Sequence, residues 1–261
     1  MPHATIHDHR LEYRVILGAA GRPTLVLLHE GLGCVALWRT FPDRLAKALG
    51  CPGIVYSRRG YGQSDGLNAG THHRRHARFM HDEAVVHLPA LLDTLGIDNP
   101  LLVGHSDGAS IALIHAATSG RPVAGVVLIA PHVFVEAVTV QAIAKIAESY
   151  ETTDLRQRLM AYHLHVDDAF RGWADIWLSP TFRTWSLGAE VQALRVPTLV
   201  IQGDNDAYGT LAQVDAISET APGPVTRCIL ADCGHVPHRD QEAAVIAAVT
   251  TWARTNLTKP S

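Results

Sequence analysis

The sequence predicts an α/β fold, a mostly parallel doubly wound sheet carrying a helical insertion. Three observations predict it. Short apolar runs alternate with longer amphipathic stretches, one central stretch breaks that rhythm, and a serine flanked by glycines sits where an apolar run passes into a helical pattern. The 261 residues, 47% of them hydrophobic, suffice for one large core or a core with one insertion.

The apolar runs are 24–29, 53–57, 100–104, 123–130, 197–202 and 225–230. Each is rich in Val, Ile and Leu and bounded by Gly, Pro or polar residues, as strands buried on both faces require. Helical patterns fall between them at 37–49, 78–95, 107–119, 208–220 and 239–256. That alternation implies βαβ units and a parallel sheet. Pro89 should kink the second helix, because it lacks the N–H and crowds the preceding turn. The first ten residues are polar and rich in histidine, and no element is assigned to them.

The stretch 132–190 holds no strand pattern. Helical patterns at 136–150 and 154–165 lead into an aromatic segment with Phe170, Trp173, Trp177, Phe182 and Trp185. The expected organisation is therefore a core of 1–131 and 191–261, with 132–190 lying over one end of the sheet. Trp173 and Trp177 are four apart and share a helical face. That face either lines a pocket or packs on the core.

Composition narrows the function classes. Charged residues make up 18%, the net charge is -3 and no basic run is long, so no nucleic-acid surface is expected. No apolar stretch approaches the roughly 20 residues of a membrane helix. The cysteines Cys34, Cys51, Cys228 and Cys233 form no C-x-x-C pair, and no secretory pattern opens the sequence. These point to a cytoplasmic protein with free thiols. Among 16 histidines, His72, His73, His76 and His81 cluster, and His72 with His76 has metal-ligand spacing. Arg74, Arg75 and Arg78 would repel a dication there, so a solvated face is expected and no metal.

The strongest local signal is Gly104-His105-Ser106-Asp107-Gly108, between an apolar run and a helical pattern. A nucleophile on such a turn needs glycines on either side, where side chains would meet the neighbouring strand and helix. The new helix points its free N–H groups at the reacting atoms, so the Asp107 backbone N–H is a candidate oxyanion donor. His105 should point away from Ser106.

With three further motifs, this turn resembles the α/β-hydrolase superfamily over nearly the whole chain. Leu28-His29-Glu30-Gly31-Leu32-Gly33 is similar to the family's His-Gly oxyanion loop. Ser57-Arg58-Arg59-Gly60-Tyr61-Gly62-Gln63-Ser64 is similar to its D-x-R-G-x-G-x-S turn, with Ser57 in place of Asp. Gly203-Asp204-Asn205-Asp206 and Cys233-Gly234-His235 resemble its acid and base loops. The resemblance implies Ser106 as nucleophile, His235 as base and Asp206 as acid, with Asp204 and Asp232 as rivals. It implies Gly31, or less simply Leu32, as a second oxyanion donor, and 132–190 as the family's variable cap.

Glu30 departs from the pattern, which has Gly there. Its carboxylate either faces the pocket or pairs with Arg58 or Arg59. The implied activity is a serine hydrolase acting on a small carboxylic ester, lactone or thioester, with no cofactor and a small-molecule substrate as its partner. Two alternatives share the fold: a carbon–carbon bond hydrolase of vinylogous diketones, and a non-catalytic small-molecule receptor. Nothing in the sequence sets an oligomeric state.

Overall fold

The structure is a computed structural model and describes residues 1–67 and 75–257. Strands His3–Ile6 (β1), His9–Ile16 (β2), Leu25–Leu28 (β3), Gly53–Tyr56 (β4), Leu101–His105 (β5), Gly125–Ile129 (β6), Thr198–Gly203 (β7) and Val225–Leu230 (β8) form one sheet. Their spatial order is β1-β2-β4-β3-β5-β6-β7-β8. From β4 to β8 the strands are parallel; β1 and β2 are antiparallel to their neighbours. The six apolar runs thus supply β3 to β8.

The sequence reading missed the hairpin β1–β2. Its strands alternate polar and apolar residues; Ala4, Ile6 and Leu11 are buried on one side, and Glu12 and Ile16 of β2 on the other. His7 and Asp8 turn the chain with φ of 46° and 66°, the backbone of a two-residue hairpin turn. β8 also departs from expectation. It is an edge strand with Thr226, Arg227 and Ile229 exposed, so it is not buried on both faces.

Helices cover both sides. Successive residues of the central strands point to opposite faces, so Val26, Leu28, Leu102, Val126, Leu128 and Val200 join one core cluster. Leu25, Leu27, Val103, Val127, Leu199 and Ile201 join the other. The second cluster is closed by Phe41–Leu49 (α1) and by the C-terminal helix described below. The first is closed by Phe79–Asp82 (α2), Leu88–Thr94 (α3) and Asp107–Thr118 (α4). Between α2 and α3, residues Glu83–His87 form a π-helical turn. Pro89 cannot donate to the carbonyl four residues back, and the ladder widens there instead of making a simple kink. α4 is buried from Asp107 to His115, with no solvent face.

Between β6 and β7 run Ala137–Thr152 (α5), Leu155–Met160 (α6), Val166–Leu178 (α7) and Gly188–Ala193 (α8). α6 is shorter than the pattern at 154–165 suggested. Trp177, Phe182 and Trp185 form a ring cluster, with centroids 5.0, 5.1 and 5.9 Å apart. Such pairs add about 0.5–1.5 kcal/mol each beyond burial. Ala212–Thr220 (α9), Pro237–Asp240 (α10) and Glu242–Asn256 (α11) complete the chain, α11 being the helix that closes the second cluster.

The turn from β5 into α4 is tight. A side chain at Gly108 would meet the Leu28 carbonyl, and one at Gly104 would meet the backbone of Gly108 and Ala109. Backbone cannot move aside as a side chain tip can. Gly108→Ala is therefore expected to lower stability by at least about 2 kcal/mol in a denaturant titration; an unchanged midpoint would show that the strand and helix can separate there.

Candidate active site

The chain leaves β3 toward β4 on one side and returns to β5 on the other. The carboxyl ends of β3 and β5 therefore border a switch point, where open parallel sheets build their clefts. Residues following β3, β5, β7 and β8 meet there.

Ser106 sits between β5 and α4 with φ 52° and ψ -119°, a conformation L residues rarely adopt. Its N–H donates to the Ile129 carbonyl at 2.9 Å, which ties the turn to β6. The Ser106 hydroxyl lies 3.0 Å from His235 Nε2. His235 Nδ1 lies 2.9 and 2.7 Å from the two oxygens of Asp206. His235 therefore donates through Nδ1 and accepts through Nε2. The sequence-predicted serine, base and acid thus form one hydrogen-bonded line, whereas Asp204 and Asp232 are exposed.

Asp206 is held from both sides. Its oxygens also accept from the Tyr208 N–H and the Gln202 amide, each at 2.7 Å. Burial alone would raise its carboxyl, but His235 and the Tyr208 N–H outweigh it and hold it below its ordinary value. For His235, burial outweighs the pull of Asp206 and lowers the imidazole. The sequence reading missed Gln202. The available signal was a polar residue closing the apolar run Leu199-Val200-Ile201.

The loop after β3 is fixed by a residue assigned only to a turn. Arg58 is buried and donates to the His29 carbonyl and, at 3.0 Å, to the Glu30 carbonyl. Its backbone N–H donates to His29 Nε2 at 3.1 Å, while His29 Nδ1 donates to the Glu30 carbonyl at 2.7 Å. Glu12, from the unforeseen hairpin, accepts from Ser57 Oγ at 2.7 Å and from the Gln63 N–H at 3.0 Å. It brings a carboxylate to the turn in which Ser57 stands where the family pattern has Asp.

Gly31 and Asp107 both border the cavity above Ser106. Helix geometry leaves the Asp107 N–H without an intrahelical acceptor. The Trp173 indole occupies the space a side chain at Gly31 would need. Trp173 and Trp177, on α7, both line the cavity and both pack, so the two readings of that face hold together. Leu32, Ile143 and Val236 supply further apolar wall, and the cavity volume is about 170 Å³. A larger groove of about 740 Å³, bordered by Arg22 and Arg254, has no histidine or carboxylate among its described lining residues to activate a nucleophile, so volume does not pick out the site.

The polar lining includes two carboxylates, Glu30 and Asp107, and three histidines, His105, His132 and His235. Glu30 pairs with neither arginine head group of the turn. Its Oε2 lies 3.4 Å from His105 Nδ1, and the side chain keeps 30% exposure beside the cavity. Burial opposes ionisation of Glu30, yet His105 holds its carboxyl well below the usual carboxylate range. His105 does not simply turn away from the site, because its other ring nitrogen reaches the His235 carbonyl. Asp107 Oδ1 accepts from Trp177 Nε1 at 3.2 Å, and its Oδ2 is buried without a partner. Burial raises its carboxyl to about 6 against the pull of Arg58. His132, also in the wall, is pushed down to about 3 by burial and stays neutral.

Elsewhere, His76 pairs with Asp82 and His81 with Glu190, each pair on its own. His72 and His73 lie outside the described residues. Among the described residues no helix is long and apolar enough to cross a membrane.

Residues 25–248 match the model of the alpha/beta hydrolase family. Solved structures with the same fold include the enol-lactonase from Burkholderia xenovorans LB400, 20% identical with a TM-score of 0.74 over 97% of this chain and 100% of that one. They include a proline iminopeptidase from Mycobacterium smegmatis, 17% identical with a TM-score of 0.77 over 98% of each chain. A thermophilic esterase from Thermogutta terrifontis is 19% identical with a TM-score of 0.72, over 98% of this chain and 99% of that one. No curated protein matches the sequence.

The raised Asp107 carboxyl has a consequence for stability. A folded-state value above the ordinary one, about 3.9, means that the folded protein holds this proton more tightly than the unfolded chain does. The contribution is then fully present below about 4 and is lost as pH rises through about 6. Asp107→Asn should melt above the parent at pH 8, with the gap closing toward pH 4. A gap independent of pH would mean that burial does not govern this group.

Proposed function

The chain belongs to the alpha/beta hydrolase family, and from that premise we propose that it is a serine hydrolase cleaving a small, uncharged carboxylic ester, or the corresponding lactone or thioester. The observation that carries the reading is the unbroken line from Ser106 Oγ through His235 to Asp206.

In the proposed mechanism Ser106 Oγ attacks the carbonyl carbon as His235 Nε2 takes its proton. Asp206 holds the Nδ1–H tautomer and stabilises the imidazolium. The developing oxyanion lies against the backbone N–H groups of Gly31 and Asp107, which cost no reorganisation as charge builds. His235 then protonates the departing alkoxide or thiolate, leaving an acyl group on Ser106. A water, deprotonated by His235, attacks that ester, and the hydroxyl is regenerated with release of the acid.

Size and charge support the substrate class. A cavity of about 170 Å³ matches five or six water molecules at about 30 Å³ each, which suits a short acyl chain. Neither Lys nor Arg is among the described residues lining it; Glu30 is paired with His105, and Asp107 is the carboxylate there without a charged hydrogen-bond partner. That carboxylate disfavours the carbon–carbon hydrolase reading, whose substrates are typically dianionic. Val236, where such enzymes usually carry an aromatic residue after the base, disfavours it too. We place the substrate-selecting lid in 132–190, on the strength of Trp173 and Trp177.

Ser106→Ala should remain folded and lose ester turnover on the order of 10³-fold or more. Asp206→Asn should lose orders of magnitude, and Asp204→Asn and Asp232→Asn little. Fluorophosphonate labelling of the parent separates enzyme from receptor, and full turnover by Ser106→Ala would overturn the nucleophile.

On matched esters, one neutral and one bearing a carboxylate beside the scissile bond, the anionic member should be slower in kcat/KM by about tenfold or more. The repulsion is on the order of 1 kcal/mol at 4 Å in water and several-fold larger in a partly desolvated cavity, and salt should narrow the gap. Equal rates at low salt would count against the charge argument.

A further inference from the structure

His105 is fully buried directly before Ser106, and its ring contacts are unusual. Nε2 lies 2.7 Å from the His235 backbone carbonyl. A carbonyl only accepts, so Nε2 carries a hydrogen. Nδ1 lies 3.4 Å from Glu30 Oε2. In the neutral ring protonated at Nε2, Nδ1 offers a lone pair, and an ionised carboxylate offers another. Two acceptors do not attract, so the 3.4 Å approach is favourable only when a proton lies between them.

We infer that Glu30 and His105 form a carboxylate–imidazolium brace, in which His105 is a positioning residue that grips the His235 carbonyl and sets a positive charge beside its ring. The inference rests on the reading of His235 as the base. The groups facing His105 are Glu30, the His235 ring at 5.2 Å, the His238 ring at 4.7 Å and the Trp38 ring at 6.4 Å. His29 borders Glu30, and Asp206 holds the far side of His235. His235 and His238 are both lowered, by burial first and by His105 in addition.

The brace has a kinetic consequence with a definite sign. His235 must be neutral to take the Ser106 proton, so kcat/KM falls on the acid side as His235 protonates. Burial and the His105 charge set that limb below the ordinary imidazole value of about 6.5. Removing the cation while Glu30 stays ionised raises it.

The brace is tested first in the resting protein, by long-range ¹⁵N–¹H spectra of histidine-labelled material at pH 7.5. The His105 signal is the one missing from His105→Gln. Protons on both of its ring nitrogens are expected, falling to one in Glu30→Gln, and a single ring proton in the parent overturns the brace. In kinetics, His105→Gln keeps an N–H donor for the His235 carbonyl. It should retain kcat within about tenfold while its acid limb moves up by roughly half a unit or more. His105→Leu, without the donor, should lose at least about tenfold more in kcat. A folded His105→Gln with an unmoved acid limb overturns the positioning role. Full turnover by Ser106→Ala would instead overturn the hydrolase reading, and the spectra would still decide the brace.

Discussion

The close approach of backbone to backbone at the end of β5 governs the rest of the site. β3 and α4 come together with only Gly108 between them, and the chain must turn from strand to helix within that space. Ser106 takes up the turn at φ 52°, a state costing on the order of 1–3 kcal/mol unless the surroundings impose it. Here they do. The Ser106 N–H is bonded to β6, its carbonyl accepts from the Ala109 N–H, and α4 is buried along its first nine residues. The hydroxyl is thereby lifted clear of the sheet toward His235.

Around that turn, buried polar groups are satisfied largely by backbone. Arg58 places its guanidinium on the carbonyls of His29 and Glu30, which are loop carbonyls that no strand can pair. Unpaired buried carbonyls cost about 1–3 kcal/mol each, so this one side chain fixes the shape of the β3 loop. Gln202 does the same for Asp206, and Glu12 for the turn at 57–63. The satisfaction is not complete: Arg58 Nε and Gln202 Oε1 are buried without partners, as are Asp107 Oδ2 and His132 Nδ1 beside the cavity.

What could be read from the sequence was whatever depends on local chemistry. Six apolar runs gave six strands because parallel strands buried on both faces need continuous apolar stretches. The hairpin was not legible in the same way, since its alternation is short and interrupted by histidines and arginines. β8 shows the converse: an apolar run can sit at an edge, because hydropathy does not record which strand ends the sheet. Pro89 announced a disturbance, but the widening of the helix into a π turn depends on how α2 and α3 pack against α4.

The sequence by itself determined the fold class, the turn that carries Ser106, and a small set of residues from which the site is drawn. Each depends on glycine placement, strand-to-helix order or residue type. Distances in the folded chain then separate the candidates. Asp206 meets His235 while Asp204 and Asp232 face solvent, because only Asp206 lies where Gln202 and the Tyr208 N–H hold it. Glu30 meets His105 and not an arginine, because the guanidinium of Arg58 is already committed to carbonyls. Those outcomes turn on distances between residues far apart in the chain, and spacing along a sequence carries no such distances.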